Sequence, residues 1–175
     1  RIPPADGRWQ LVQACRLIPK KGLITALRAF SHFREFYPRA SFVIAGDGPG
    51  REVLTEKIAQ APWKGKVTLL GHRTDVPNVL ASLDVLVLPS YAHEGIPQII
   101  LQAQAMSCAV VATTIGGIPE VVEDGVTGLL VPPRYAEMLA EKIATLLDDS
   151  NLSAHLGQNA RASIEKSYSL DAMGD

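Results

Sequence analysis

The chain has 175 residues, of which 47% are hydrophobic and 20% charged, with a formal net charge of −1. This length builds one domain with a full core and falls short of two, and the composition is that of a folded chain rather than a disordered one. A charge so near zero excludes a broad electrostatic face for DNA, RNA or an acidic membrane, so any bound anion must be caught by a local cluster.

Residues 1–8 open with Arg1-Ile2-Pro3-Pro4-Ala5-Asp6-Gly7, the Pro/Gly mix of an exposed connector, and are expected to be an interdomain linker. The first residue is not Met and no signal peptide follows, which is expected of a piece that begins in such a linker. Residues 11–15, Leu-Val-Gln-Ala-Cys, predict a short buried strand. Residues 22–37 have helical spacing, with Leu23, Leu27, Phe30 and Phe33 on one side, until Pro38 stops them. Ser41–Ala45 reads as the second strand. The turn Gly46-Asp47-Gly48-Pro49 then predicts a helix to about Ala61, with Pro49 suited to its first turn.

The alternation continues with a strand at 67–70, a short helix over Val76–Ser82 and an apolar strand over Val85–Leu88 that Pro89 ends. A helix at 99–106, a strand at 109–112, a helical turn at 119–122 and a last strand over Leu129–Val131 follow. Helices at 136–147 and 152–166 close the pattern. Strands that are apolar throughout, alternating with amphipathic helices, predict a parallel sheet of about six strands with helices on both faces and right-handed crossovers. Ligands of such doubly wound sheets bind outside the carboxyl ends of the strands, where helix N-termini point.

The loops at those ends hold the unusual residues. Arg16-Leu17-Ile18-Pro19-Lys20-Lys21-Gly22 places three cations beside the start of a long helix, an arrangement that suits a diphosphate, although most such clusters are solvated turns with surface charges. Pro89-Ser90-Tyr91-Ala92-His93-Glu94-Gly95-Ile96-Pro97-Gln98 leads into a helix carrying Gln102. Gly95 lets the backbone approach a ligand, and Glu94 and Gln102 are eight residues apart, so both can border one cleft. The other reading makes Glu94 a charge favoured by the helix dipole and Gln102 a buried amide paired with backbone.

Other features carry less. Gly46-Asp47-Gly48-Pro49-Gly50 fits a dinucleotide fingerprint poorly, because Pro49 lacks an amide and the next strand ends in Gly71-His72-Arg73 rather than an acid; a tight turn at a pocket rim fits better. Gly116-Gly117-Ile118-Pro119-Glu120 and Asp124-Gly125-Val126-Thr127-Gly128 read as turns. Cys15 and Cys108 sit in or beside apolar runs and read as reduced buried thiols. No CxxC pair, DxD pair, His spacing or Ser-His-Asp set offers a metal or a triad, and no apolar stretch reaches about 18 residues.

Taken in order, these segments resemble the glycosyl transferases group 1 family, retaining enzymes of the GT-B fold. The matching residues are Arg16-Leu17, Lys21-Gly22, Gly46-Asp47-Gly48-Pro49, Leu70-Gly71, Leu88-Pro89-Ser90 and Glu94-Gly95-Ile96-Pro97. They continue with Ala105-Met106, Val110-Val111-Ala112-Thr113, Gly116-Gly117-Ile118-Pro119-Glu120, and Gly125-Val126-Thr127-Gly128 running into Leu129-Leu130-Val131. The resemblance implies a Rossmann-like, nucleotide-sugar-binding domain over residues 9–168, the C-terminal half of the fold, with residues 169–175 beginning a crossover from Tyr168-Ser169-Leu170. It implies a UDP-, GDP- or ADP-sugar as substrate, no other cofactor, and no metal.

By the same resemblance, Arg16, Lys21 and Glu94 are the catalytic candidates. The cations would hold the diphosphate as charge builds on the leaving nucleotide, and Glu94 would face the sugar. Leu70 and Gly71 would lie against the base, and Gly48, Gly95, Ile96, Pro97, Gln98 and Gln102 would complete donor binding. The family carries a ribose-binding glutamate where this chain has Gln102, which removes one charge-assisted contact. The acceptor would belong to a missing half, so the isolated piece is expected to be inactive. The loop at 94–97 is similar to members that build bacterial exopolysaccharide or lipopolysaccharide, including colanic-acid-type enzymes. The expected location is the cytoplasm, with any contact to the inner membrane made by the missing half. A non-catalytic module of the same fold and a sugar-nucleotide epimerase stay open as alternatives.

Overall fold

The computed structural model describes residues 8–167; the predicted linker, save Arg8, and the predicted crossover at 169–175 with Tyr168 lie outside the described residues. Among the described residues six strands form one parallel sheet: β1 Gln10–Ala14, β2 Ser41–Ala45, β3 Val67–Gly71, β4 Val85–Leu88, β5 Ala109–Thr113 and β6 Leu129–Val131. Seven α-helices of the described residues connect and close them: α1 Leu23–Phe33, α2 Arg51–Gln60, α3 Val76–Ser82, α4 Gln98–Ala105, α5 Ile118–Val121, α6 Ala136–Asp148 and α7 Ser150–Ser167. The strand order is β3-β2-β1-β4-β5-β6, so the doubly wound architecture expected from the alternation is the one found.

Alternate residues of each strand feed two separate cores, because successive side chains of a strand point to opposite faces. Leu11, Val85, Val87, Ala109 and Val111 pack under α1 and α6, with Leu27, Phe30, Leu139 and Leu146 opposite them. Val12, Leu86, Leu88, Val110 and Ala112 pack against Leu80, Ile100, Ala103 and Ile118 on the other face. β4 and β5 are buried along their whole length, and β1 and β4 are the two middle strands of the sheet. Helix α1 contributes its stripe through Phe30, whose ring meets Phe33 and Trp63 edge-on with centroids 5.4 and 5.6 Å apart.

Several helix limits shift from the sequence expectation, and two of the shifts have a visible cause. Helix α2 begins at Arg51 rather than at Pro49, because the Gly50 amide donates to the Leu17 carbonyl at 2.8 Å and holds Pro49 in the preceding turn. Helix α1 ends at Phe33 rather than Tyr37, whose amide bonds back to the Phe33 carbonyl in a terminal turn. Among the described residues no helix is long and apolar enough to cross a membrane.

Candidate functional site

The strand order reverses between β1 and β4, so the loops leaving their carboxyl ends turn to opposite faces and open a crevice. A cleft of about 500 Å³ lies there. Its wall is built from Ala14 at the end of β1 and Cys15 and Arg16 after it, Gly46 and Asp47 after β2, His72 and Arg73 after β3, and Gln98, Ile99 and Gln102 of α4. Arg16, Gln98 and Gln102 are exposed, and the two glutamines stand one turn apart on the same face of α4. Three of the residues singled out in the sequence therefore share one cleft.

Lys21 and Glu94 do not line the cleft; they meet each other, both near enough to the lining residue Cys15 to act on its thiol. The Lys21 ammonium lies 2.6 Å from Glu94 Oε1, with side chains 17% and 8% exposed, so the pair is largely withdrawn from water. Both are brought there by short local structure. A 3-10 turn over Pro19–Lys21 is closed by Gly22, which holds φ 70. A Cβ on Gly22 would lie 1.8 Å from the Pro89 carbonyl oxygen, so only glycine lets the β1 loop and the β4 loop touch. Glu94 is fixed from the other side, where its carbonyl accepts the Gly117 amide at 3.0 Å and Gly116 leaves no room for a side chain.

A buried polar chain underpins this pair. Ser90 Oγ donates to Glu94 Oε1 at 2.8 Å, and Thr113 Oγ1 donates to the Ser90 carbonyl at 2.6 Å. Gln13, fully buried in β1, donates its amide to the Lys21 carbonyl at 2.8 Å, while its own Oε1 is buried without a partner. Lys20 Nζ donates to the His93 carbonyl at 3.2 Å, a second tie between the two loops. Gln13, Ser90 and Thr113 were not among the site residues expected from the sequence, although Ser90 and Thr113 end two of the matching segments. The signals were a polar residue inside the run Leu11-Val12-Gln13-Ala14 and a serine directly after Pro89, both compatible with many environments.

Cys15 is half-buried on the cleft wall rather than sealed in the core, and Cys108 is buried. Burial pushes the Cys15 thiol up to about 11; the nearby Lys21 ammonium pulls it part of the way back and Glu94 adds to the rise. The thiol is thus neutral near pH 7, and it lies within the fields of both members of the Lys21–Glu94 pair. At the far end of the cleft, Arg73 grips Asp75 with two bonds of 2.7 and 2.6 Å, which hold the Asp75 carboxyl below its ordinary range. Asp47 is engaged by Arg51 at 3.1 Å and by the Gly48 amide at 2.8 Å.

The other singled-out residues lie outside the lining of this cleft. Leu70 is 38% exposed, and Gly71 ends β3 beside the Arg51 guanidinium. Gly48 backs onto the Leu17 backbone. Gly95 and Ile96 are exposed between Glu94 and α4, and Pro97 is buried as the cap of that helix. Exposed His93 offers its carbonyl, not its ring, to a described partner. No group of three or more His, Cys, Asp or Glu gathers among the described residues.

The chain is similar over almost its whole length to proteins of known class, and spans less than half of the curated relatives it matches. It is 31% identical over 172 residues to an alpha-D-kanosaminyltransferase of Streptomyces kanamyceticus, covering 97% of this chain and 44% of that protein. It is 32% identical to the putative colanic acid biosynthesis glycosyltransferase WcaL of Escherichia coli K12, covering 91% and 41%. Among solved structures, Anabaena HepE in complex with UDP-glucose superposes with a TM-score of 0.85 at 28% identity, over 91% of this chain and 44% of that one. The C-terminal domain of the Francisella tularensis group 1 glycosyl transferase LpcC superposes with a TM-score of 0.83 at 27% identity, over 93% and 87%. The family model for glycosyl transferases group 1 matches residues 1–163, and the chain belongs to that family.

Proposed function

We propose that this chain binds the donor of a retaining glycosyltransferase, a nucleotide-sugar whose diphosphate lies between Arg16 and Lys21. The observation that carries the reading is the meeting of a cation-bearing loop after β1 with a carboxylate-bearing loop after β4, at the reversal of strand order. Supporting it, HepE, a similar protein of 28% identity, is known in complex with UDP and with UDP-glucose.

In this reading the nucleoside occupies the cleft, with the ribose against Gln98 and Gln102 and the base toward Leu70, Gly71 and the end of β3. Gly48 shapes the rim. The Arg16 guanidinium and the Lys21 ammonium balance the charge that collects on the departing nucleoside diphosphate, so electrostatic stabilisation comes from fixed side chains without a metal. As phosphate oxygens take up Lys21, the ammonium shares its contact with Glu94, and the freed carboxylate accepts hydrogen bonds from sugar hydroxyls. Amides of Gly95 and Ile96, above the Pro97 cap of α4, complete the sugar pocket.

The acceptor belongs to the portion of the protein that this chain does not span, and the transfer serves cell-surface polysaccharide synthesis in the cytoplasm. Closing a cleft between two domains excludes water and aligns the reactants, so this piece alone should bind donor and transfer nothing. Isothermal titration of the 175-residue chain with UDP, GDP and ADP should give saturable heat with at least one of them. A folded sample that takes up none of the three would sink the proposal.

A further inference from the structure

A second cleft, of about 280 Å³, lies across the Pro19–Lys21 turn from the donor cleft. Thr25 and Arg28 of α1 form one wall, Tyr91 and Arg134 the other, and Pro19 and Gly22 border both. The Arg134 guanidinium sits 4.2 Å from the centroid of the Tyr91 ring, an aromatic contact that holds the planar fork in place without consuming its donors. Tyr91 is itself anchored, since its amide donates to the Lys20 carbonyl at 2.9 Å.

The charge of this cleft is uncompensated. Ion pairs among the described residues engage Arg34, Arg51, Arg73 and Arg161, and neither Arg28 nor Arg134 has a carboxylate within 4.0 Å. In a chain of net charge −1, two guanidiniums facing one concavity with no acid between them make a local positive potential. Helix α1 begins beside them with neither a side-chain cap nor an acidic residue in its first turn, so its amide dipoles add to that potential instead of cancelling it. The Thr25 hydroxyl supplies a neutral donor. Two planar five-donor groups, a hydroxyl and no carboxylate are complementary to a phosphate's oxygens, whereas an uncharged sugar would leave both charges unpaired.

We propose that the cleft of Arg28, Arg134, Thr25 and Tyr91 binds a phosphate group of a second molecule, separate from the donor nucleotide. Pro19, which begins the turn carrying Lys21, and Gly22, which caps it, line this cleft, so such a phosphate would sit beside that turn.

The test uses the 175-residue chain saturated with UDP, titrated with inorganic pyrophosphate and followed by calorimetry. One further equivalent should bind, and the double variant Arg28→Gln/Arg134→Gln should weaken it by about tenfold or more, the size of a lost charge-assisted hydrogen bond. The UDP affinity and melting temperature should stay unchanged in that variant. Pyrophosphate that no longer binds once UDP is present, or that binds the double variant as well as the parent, overturns the proposal. If the chain takes no UDP, the donor reading fails while the comparison of parent with double variant still decides this one. Cosedimentation with vesicles containing phosphatidylglycerol distinguishes sources: retention that the double variant loses assigns a lipid phosphate, and absence of retention beside pyrophosphate binding assigns a soluble one.

Discussion

Gly22→Ala is expected to lower the melting temperature by about 6–12 °C, corresponding to about 3 kcal/mol or more for a domain of this size. Two effects add. The residue holds φ 70, which alanine adopts only at a cost, and the new Cβ would stand 1.8 Å from the Pro89 carbonyl oxygen and 2.7 Å from its carbon. Both obstructing atoms are backbone, so the strain is relieved only by parting the β1 and β4 loops. That movement pulls Lys21, the residue before Gly22, away from Glu94, and nucleotide affinity should fall with stability. A thermal melt of the variant that overlays the parent's would show that the loops do not need this contact.

Charge removal at the two cations should separate binding from folding. Arg16 is exposed on the cleft wall, so Arg16→Ala should weaken nucleotide diphosphate binding by about 10- to 100-fold, as expected for one or two charge-assisted hydrogen bonds, with little change in the melt. Lys21→Met should weaken binding comparably and also destabilise. It leaves Glu94, 8% exposed, with Ser90 as its remaining side-chain donor, and breaking a buried pair costs about 3–5 kcal/mol. Adding Glu94→Gln to Lys21→Met removes the orphaned charge, so the double variant should recover part of that loss without recovering binding. Equal melts for Lys21→Met alone and for the double variant would mean that the orphaned Glu94 carboxylate costs the fold nothing.

Much of this architecture is legible in the residue pattern. β2, β4 and β6 and helix α3 fall where the sequence places them, because Val85–Leu88 and its counterparts are apolar on both faces and are bounded by Pro, Gly or polar residues. The parallel, doubly wound sheet was legible in the alternation with its right-handed crossovers, whereas the strand order was read only from the fold. Helix ends were harder. Pro49 is compatible with a helix start, and only the tertiary bond from Gly50 to the Leu17 carbonyl places α2 two residues later.

The site was legible where a loop carries charge and opaque where support comes from elsewhere in the fold. Arg16, Lys21 and Glu94 stand out as charges at strand ends. Nothing local shows that Lys21 turns onto Glu94, 73 residues away. Gln13 reads as an anomaly in β1 until the Lys21 carbonyl is seen above it, and Thr113 reads as the end of β5 until its hydroxyl reaches Ser90. Nothing in the sequence brings Arg28 and Arg134 together; the packing of the β6–α6 loop over Tyr91 turns them toward one cleft.

Soaking UDP into crystals of the chain tests the account most directly. The diphosphate should lie within hydrogen-bonding distance of both the Arg16 guanidinium and the Lys21 ammonium, with the ribose facing Gln102. A nucleotide whose phosphates contact neither cation, or that settles outside the crevice between the β1 and β4 loops, would contradict it.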